Sequence, residues 1–434
     1  MSLTVVGITG IVVLVVIFLL RMPVGFAMAF VGFVGFSYLV SPGAGFSILA
    51  RDVFHIFSSY SLTVIPMFVL MGSVASASGM SQSLYDASYA LLGKLRGGLA
   101  IATIAGCAGF AAVCGSTNAT AAAMGRVSLP EMKRYNYADS LATGSVAAAG
   151  SLGILIPPST IFIIYGIMTE QSIGKLFIAG VFPGLILATL FILVVVLLCR
   201  HNPDLAPAGV ATNWKEKITG LVGIIETLAL FALVIVGLFL GWFSPTQAGG
   251  AGAAGALLIG IATRQLTWQG FLGAVKDALR ITCMVMIIVT GATVFGHFIA
   301  VTEIPLILAD WVAGLPLPTM AIMGVIVLIY LLGGCFMDAL ALITLTIPIL
   351  YPVVLALGFD PIWFGVIIVL VTEMGVITPP VGVNVYVIKG IAKDVPLETI
   401  FKGIVPFLVA LMVTIGILMG FPQIATFLPS LTTY

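Results

Sequence analysis

Charge is scarce in this sequence. Of its 434 residues only 8% are charged and 61% are hydrophobic, whereas soluble domains carry roughly a quarter charged residues. So few charges cannot build the solvated surface of a soluble protein. Apolar runs long enough to cross a bilayer recur along the chain, for example Ile178–Cys199 and Ile404–Phe421. The composition therefore predicts an all-α polytopic membrane protein embedded in a lipid bilayer.

Catalytic and nucleotide-binding motifs are also missing. The sequence contains no HExxH, GxSxG or Walker A pattern, and its three histidines lie far apart. The five cysteines form no CxxC pair, which favours free thiols over a disulfide framework or a metal site. No basic run suggests nucleic acid as a partner. These absences predict a protein that is not an enzyme, binds no organic cofactor and does not itself use ATP.

The few basic residues orient the chain. With the N-terminus outside, fifteen of the seventeen Lys and Arg residues fall on the inner side, and only Arg51 and Lys175 lie outside. This distribution follows the positive-inside rule and predicts that both chain termini face outward. It treats Ser41–Asp52 as an external loop and Gly79–Arg96 as an internal one. A role for Arg51 beyond this position is left open.

Two halves of the chain share a pattern of helix-breaking residues. Gly72 and Gly115 are 43 residues apart, as are Gly291 and Gly334, and the two pairs are offset by 219 residues. The charge-derived topology gives the halves opposite orientations, and an inverted repeat is typical of alternating-access transporters. The predicted organisation is a first repeat over residues 1–200, a cytoplasmic linker over 201–217 and a second repeat over 218–434.

Each half is predicted to contain two interruptions of helix at membrane depth. One is a re-entrant hairpin, at about 97–125 in the first half and 316–350 in the second. The other is a helix broken by a Pro-Pro pair, Pro157-Pro158 in the first half and Pro379-Pro380 in the second. Proline removes a backbone donor and frees a carbonyl, and unwound backbone survives there only where protein, water or an ion satisfies it.

Polar residues concentrate at these interruptions. Transporters use unwound carbonyls to hold a sodium ion, and a carboxylate within the membrane is usually functional. We predict sodium ligands at Gly115, Ser116, Asn118, Pro157, Gly334, Asp338, Thr378 and Pro379. We predict substrate contacts at Thr117, Ser159, Thr160 and Asn384. Glu373 is left open between a site residue and a structural acceptor for freed amides.

Four stretches carry a resemblance to a known family. They are "CGSTNATAAAMGRVSLPEMKRYNY", "LATGSVAAAGSLGILIPPSTIFIIYG", "GGCFMDALALITLTIPIL" and "EMGVITPPVGVNVYV". The chain resembles the large membrane subunit of the tripartite ATP-independent periplasmic (TRAP) transporters over nearly its whole length. It departs from the usual motif at Thr117-Asn118, which leaves open whether Asn118 faces an ion, the substrate or neither.

The resemblance implies a function and partners. It implies an elevator-type importer of a small organic anion, a carboxylate or sulfonate, driven by sodium in the bacterial inner membrane. It also implies a small four-helix membrane subunit and a periplasmic substrate-binding protein. The alternative is a self-sufficient ion-coupled carboxylate carrier of the same architecture. A channel would not need paired polar hairpins, and the missing motifs disfavour an intramembrane enzyme.

Overall fold

A computed structural model describes residues 2–20, 22–207 and 214–432. All regular secondary structure in these ranges is helical, without a β-strand, so the predicted all-α class is confirmed. Part of the predicted linker, residues 208–213, lies outside the described residues. Helices of the first half are α1 (Leu3–Leu19), α2 (Val24–Leu39), α3 (Pro42–Ser58), α4 (Val64–Ala77), α5 (Met80–Leu92), α6 (Gly98–Cys114), α7 (Thr117–Arg134), α8 (Asp139–Gly150), α9 (Leu152–Leu155), α10 (Thr160–Thr169) and α11 (Ile173–His201).

The second half begins at α12 and continues to the C-terminus. Its helices are α12 (Trp214–Phe239), α13 (Pro245–Ala262), α14 (Trp268–Val301), α15 (Ile304–Ala313), α16 (Thr319–Gly334), α17 (Ala339–Ala356), α18 (Pro361–Ile377), α19 (Val383–Ile391), α20 (Leu397–Gly420) and α21 (Gln423–Ser430). By length and composition, five helical segments of the described chain can each cross a membrane. A sixth span is possible if the pair Pro42–Ser58 and Ser61–Ala77, bent by 56°, crosses as one unit.

The two predicted hairpins are interrupted at their tips. Helix α6 ends at Cys114, and Gly115 then takes a left-handed conformation (φ +65°) that glycine adopts without a steric penalty. Ser116 caps α7, its hydroxyl accepting a hydrogen bond from the Ala119 amide at 3.4 Å. In the second hairpin, the Asp338 carboxylate caps α17 by accepting from the Leu340 amide at 3.1 Å. Each tip is thus a short, capped break between two helices.

The Pro-Pro pairs also interrupt helices. The first lies between α9 and α10, and the second between α18 and α19. Pro157 is buried, whereas Pro379 is exposed, so the two breaks differ in their surroundings although their sequences match.

The helices pack in two groups. In the first, α14 packs against α2 and α4, and α13 packs against α4 and α12. Their approach is close, because a Cβ atom on Gly291 would lie 2.1 Å from the Gly25 carbonyl oxygen. In the second group, the hairpin of α6 and α7 packs against α8, α8 packs against α20, and α18 packs against both α16 and α20. Both hairpins also touch the first group, since α6 packs against α4 and α17 packs against α14.

Two segments that the charge pattern treats as loops are helices instead. Ser41–Asp52 forms most of α3, and Gly79–Arg96 contains α5. Both helices are amphipathic: α3 buries Asp52 while exposing Phe54. Counting charges cannot distinguish a loop from such a helix, because the positive-inside rule depends on the side of the membrane and not on local conformation.

Candidate functional site

A cavity of about 660 Å³, lined by apolar, polar and charged residues, lies between the two groups of helices. Its lining residues come from α4 and α14, from the tips of the first and second hairpins, and from α9 and α10. Both predicted hairpin tips therefore face one shared space, which has the size of a small-molecule site.

Helical periodicity explains the shape of the cavity. On α7 the lining residues are Asn118, Ala119, Ala122, Ala123 and Arg126, which form one face of the helix. The middle of this face is alanine, so its short side chains leave room between the polar residues at either end. Small residues also line the cavity from α4 and α14, including Gly72, Ser73, Ser76, Gly270, Gly273 and Ala274.

The first hairpin tip is tied to the first broken helix. The Thr160 hydroxyl donates a hydrogen bond to the Gly115 carbonyl at 3.1 Å. A Cβ atom on Gly115 would lie only 2.7 Å from the Pro158 carbonyl oxygen. The Ser159 hydroxyl accepts from the Phe162 amide at 3.3 Å and caps α10. The tip and the break thus form one cluster of polar backbone groups.

The second hairpin tip contacts the second broken helix in a similar way. The Val381 amide donates to the Cys335 carbonyl at 3.4 Å. A Cβ atom on Gly375 would lie 2.6 Å from the Gly334 carbonyl carbon. The Asp338 carboxylate is exposed to the cavity while it caps α17. Local capping accounts for an oxygen-rich side chain here, independently of any ion.

The structure brings five of the predicted site residues to the cavity wall. These are Ser116, Thr117, Asn118, Thr160 and Asp338. The other seven lie outside the lining: Gly115, Pro157, Ser159, Gly334, Thr378, Pro379 and Asn384. Asn384 is fully buried, and its side-chain amide donates to the Ala147 carbonyl at 3.4 Å. The Thr378 hydroxyl donates to the Met374 carbonyl at 2.5 Å.

The available ligands are mostly neutral oxygens. The described residues contain no group of three or more His, Cys, Asp and Glu side chains able to hold a metal ion. At the first tip, the Asn118 Oδ1 atom is buried without a hydrogen-bond partner. The Gly115 carbonyl has one donor, Thr160, and a carbonyl oxygen has two lone pairs. This set suits a monovalent hard cation better than a multivalent transition metal.

Besides the predicted Asp338, three charged residues line the cavity that the sequence analysis does not place there. They are Arg126 on α7 and both Asp277 and Arg280 on α14. The spacing of Arg126 could have indicated that it lines the cavity, because Arg126 follows Asn118 by eight residues and so falls on the same face of the helix. Recognising it required knowing which face of α7 is turned toward α14.

Glu373 lies in α18 and is not one of the residues that line the cavity. The side chain is 0% exposed, and neither carboxylate oxygen has a hydrogen-bond partner in the described structure. The Ile154 amide on α9 faces the carboxyl group but does not reach hydrogen-bonding geometry. The Ile154 amide is the backbone donor placed beside this carboxyl group.

The fold defines a polytopic helical membrane protein with an internal cavity. The Alcanivorax borkumensis YdaH transporter has the same fold: its crystal structure matches with a TM-score of 0.63 over 90% of each chain, at 15% sequence identity. Residues 11–424 match the model of the DctM component of the tripartite ATP-independent periplasmic transporters. The chain belongs to this family.

Two relatives illustrate the range of the family. The chain is 34% identical to the C4-dicarboxylate TRAP transporter large permease protein DctM of Pseudomonas aeruginosa over 383 residues, covering 88% of this chain and 89% of that protein. It is 32% identical to the sialic acid TRAP transporter large permease protein SiaM of Vibrio cholerae over 411 residues, covering 94% and 95%. The resemblance noted in the sequence is confirmed.

Proposed function

We propose that this chain is the large membrane subunit of a sodium-driven importer of a small organic anion. The observation that carries the proposal is the cavity shared by both hairpin tips and walled by α4 and α14. In this proposal a sodium ion orders each tip, and the solute binds between them. Ligands come from the predicted set, with Ser116 and Asn118 at the first tip and Asp338 at the second.

Movement of the second helix group against the first would carry the solute across the membrane as an elevator. Two features support this division. The first hairpin packs with α8 and the second with α18, both of which pack with α20, whereas α14 packs most extensively with α2 and α13 with α4. The cavity lies at the boundary between the groups, where relative sliding would expose it to either side in turn.

The proposed assembly includes a small four-helix membrane subunit and a secreted substrate-binding protein in the bacterial inner membrane. Family membership supports both partners, because the family is described as a component of a tripartite periplasmic transporter. The basic-residue distribution supports termini on the periplasmic side. The relatives named for C4-dicarboxylates and sialic acid support a carboxylate as the solute.

The test is uptake into proteoliposomes containing this chain and the small subunit, with the binding protein outside. Succinate and sialic acid serve as probes under an inward sodium gradient. We expect uptake that requires both the gradient and the binding protein. Uptake without the binding protein would support the self-sufficient carrier instead, and uptake unaffected by replacing sodium with potassium would refute sodium coupling.

Site variants sharpen this test. Ser116→Ala and Asp338→Ala are expected to abolish sodium-dependent uptake while the protein still inserts in the membrane. Ser128→Ala is the matched control, because Ser128 lies buried on the same helix and donates to the Met124 carbonyl at 2.7 Å, away from the cavity. Normal uptake in both site variants would contradict the assignment of the tips.

A further inference from the structure

Glu373 is a buried carboxyl group that the proposed transport cycle does not yet use. Its side chain on α18 is 0% exposed, and neither of its oxygens has a hydrogen-bond partner in the described structure. The ion pairs found among the described residues do not include it. An isolated carboxylate is so costly in an apolar environment that such a group takes up a proton instead. The burial of this carboxyl group without a partner therefore indicates its neutral, protonated form.

The corresponding position in the first half of the chain has no carboxyl group. Glu373 lies six residues before Pro379, and Ser151 lies six residues before Pro157. Ser151 is also 0% exposed, but its hydroxyl donates a hydrogen bond to the Ala148 carbonyl at 2.7 Å. A Pro-Pro break is thus built in the first half with a neutral and satisfied side chain. The break in the second half does not by itself explain a carboxyl group there.

The helices that pack against α18 offer Glu373 no partner. They are α9, α10, α11, α16, α17, α19, α20 and α21. Their charged residues and histidine lie within two turns of a helix end: Lys175, Arg200 and His201 on α11, Lys389 on α19, and Glu398 and Lys402 on α20. Asp338 precedes α17 and lines the cavity. The other titratable side chains are neutral at physiological pH: Tyr165, Cys199, Tyr330, Tyr351 and Tyr386.

Ile154 of the short helix α9 lies next to both Glu373 and the cavity. Its amide faces the Glu373 carboxyl group, and the same residue lines the cavity. Helix α9 has only four residues, and the Ile154 amide makes a long hydrogen bond of 3.5 Å to the Ser151 carbonyl. A single turn has few of the backbone hydrogen bonds that stabilise a longer helix. Water in the cavity can therefore reach Glu373 if this one turn loosens.

The tip of the first hairpin packs directly on α9. A Cβ atom on Gly153 would lie 2.5 Å from the Ser116 carbonyl oxygen and 2.7 Å from the Thr120 hydroxyl oxygen. Ser116 belongs to the predicted sodium ligands, so the tip that sodium would order is also the tip that holds α9 beside Glu373. Occupancy of the first tip and access of water to this carboxyl group are thus linked through Gly153.

We propose that Glu373 is a proton-binding site and that the chain carries one proton across the membrane together with sodium. While the ordered first tip holds α9 in place, the carboxyl group keeps its proton. When sodium leaves, α9 loosens, the O–H bond breaks, and the proton passes to water in the cavity and leaves a carboxylate. The reverse step takes a proton from water on the other side of the membrane.

A proton fits this position better than a second metal ion. The backbone group that faces the carboxyl group is the Ile154 N–H, a donor, which would repel a metal cation rather than coordinate it. The inference rests on the proposed sodium-driven transport, because it adds a second coupling ion to the same cycle.

Two variants separate this site from carboxyl groups in general. Glu373→Gln removes the titratable group and keeps a neutral side chain of similar shape. Glu398→Gln is the matched control, because Glu398 is exposed near the start of α20, which packs against α18. Glu373→Met serves as a second test variant if Glu373→Gln fails to fold.

The first measurement is infrared spectroscopy and needs no transport. The full chain is purified with its small subunit at neutral pH in the presence of sodium, and spectra are recorded in H₂O and D₂O. We expect the C=O band of a protonated carboxyl group, shifted in D₂O, to be present in the wild type and in Glu398→Gln and to be lost in Glu373→Gln. Absence of the band from the wild type, or an unchanged band in Glu373→Gln, would overturn the inference.

The second measurement is the final accumulation of solute in proteoliposomes at a fixed sodium gradient and a fixed membrane potential. If one proton moves with each solute, an outside solution one pH unit more acidic should raise the accumulation ratio of the wild type and of Glu398→Gln by up to about tenfold. The ratio in Glu373→Gln should not respond. An equal response of wild type and Glu373→Gln would overturn the inference. The infrared band without any sodium-driven uptake would refute the proposed function while supporting the proton site.

Discussion

Gly72 on α4 packs directly against the first hairpin. A Cβ atom on Gly72 would lie 2.7 Å from the Cys114 carbonyl oxygen and 3.0 Å from its Cα. Both are backbone atoms, so no side-chain rotation can relieve the contact. Since Gly72 lies in a regular helix where alanine is itself well tolerated, the cost of Gly72→Ala arises from this contact between the two helix groups.

The size of this cost determines the expected behaviour. Overpacking of this kind costs about 1–3 kcal/mol. If the second helix group slides during transport, the cost applies only to the conformation in which the hairpin touches α4. The population ratio of the two end conformations should then shift by about 5- to 150-fold against the one described here. The free energy of unfolding should fall by less than this amount, because in the other end conformation the hairpin does not touch α4.

Two assays measure this shift. Turnover in proteoliposomes should fall in Gly72→Ala, because a cycle that strongly disfavours one end conformation is slow. Labelling of Ala122→Cys with a membrane-impermeant maleimide, in a Cys283→Ser background, should also slow from the side on which the cavity opens in this conformation. Gly250→Ala is the control, since a Cβ atom there has no neighbour within 4 Å. Wild-type turnover and labelling in Gly72→Ala would refute the reasoning.

Three further predictions concern individual carboxyl groups. Asp338→Asn keeps an acceptor for the cap on α17, so this variant should unfold like the wild type while losing sodium-dependent uptake. Asp338→Ala removes the cap as well and should lose about 1 kcal/mol of stability. Equal thermal stability of the two variants would argue against the cap. Glu373→Met removes two unpartnered buried oxygens and should raise the free energy of unfolding by about 1–3 kcal/mol, measured by denaturant titration; a fall would indicate a partner for this carboxyl group. Lys133 donates a hydrogen bond to the Asp394 carboxylate and lowers the pKa of that carboxyl group. Any stabilisation of the folded state by this exposed pair is therefore fully present above the ordinary Asp pKa, and it is lost as the pH falls through the lowered pKa. The difference in unfolding temperature between wild type and Asp394→Asn should accordingly be small at neutral pH and vanish in acid, and a difference that grows in acid would contradict this sign.

The breaks in the helices could be read from the sequence because their causes are local. Gly115 adopts a left-handed conformation and Ser116 caps the next helix within a few residues of it. The Pro-Pro pairs interrupt helices by removing backbone donors, wherever they lie in the fold. The same holds for the all-α class, since apolar runs long enough to span a bilayer satisfy their own backbone groups in lipid by forming helices.

Which neighbouring helix each helix break contacts is decided by the tertiary structure. Gly72 and Gly291 occupy equivalent places in the sequence repeat, yet Gly72 abuts Cys114 of the first hairpin and Gly291 abuts Gly25 of α2. Likewise, seven predicted site residues lie outside the cavity while Arg126 and Arg280 line it. Local sequence determines where a helix starts and stops, because capping and proline act over one turn. Which face of α7 looks across at α14 depends on packing between residues more than a hundred positions apart, and only the assembled fold contains that information.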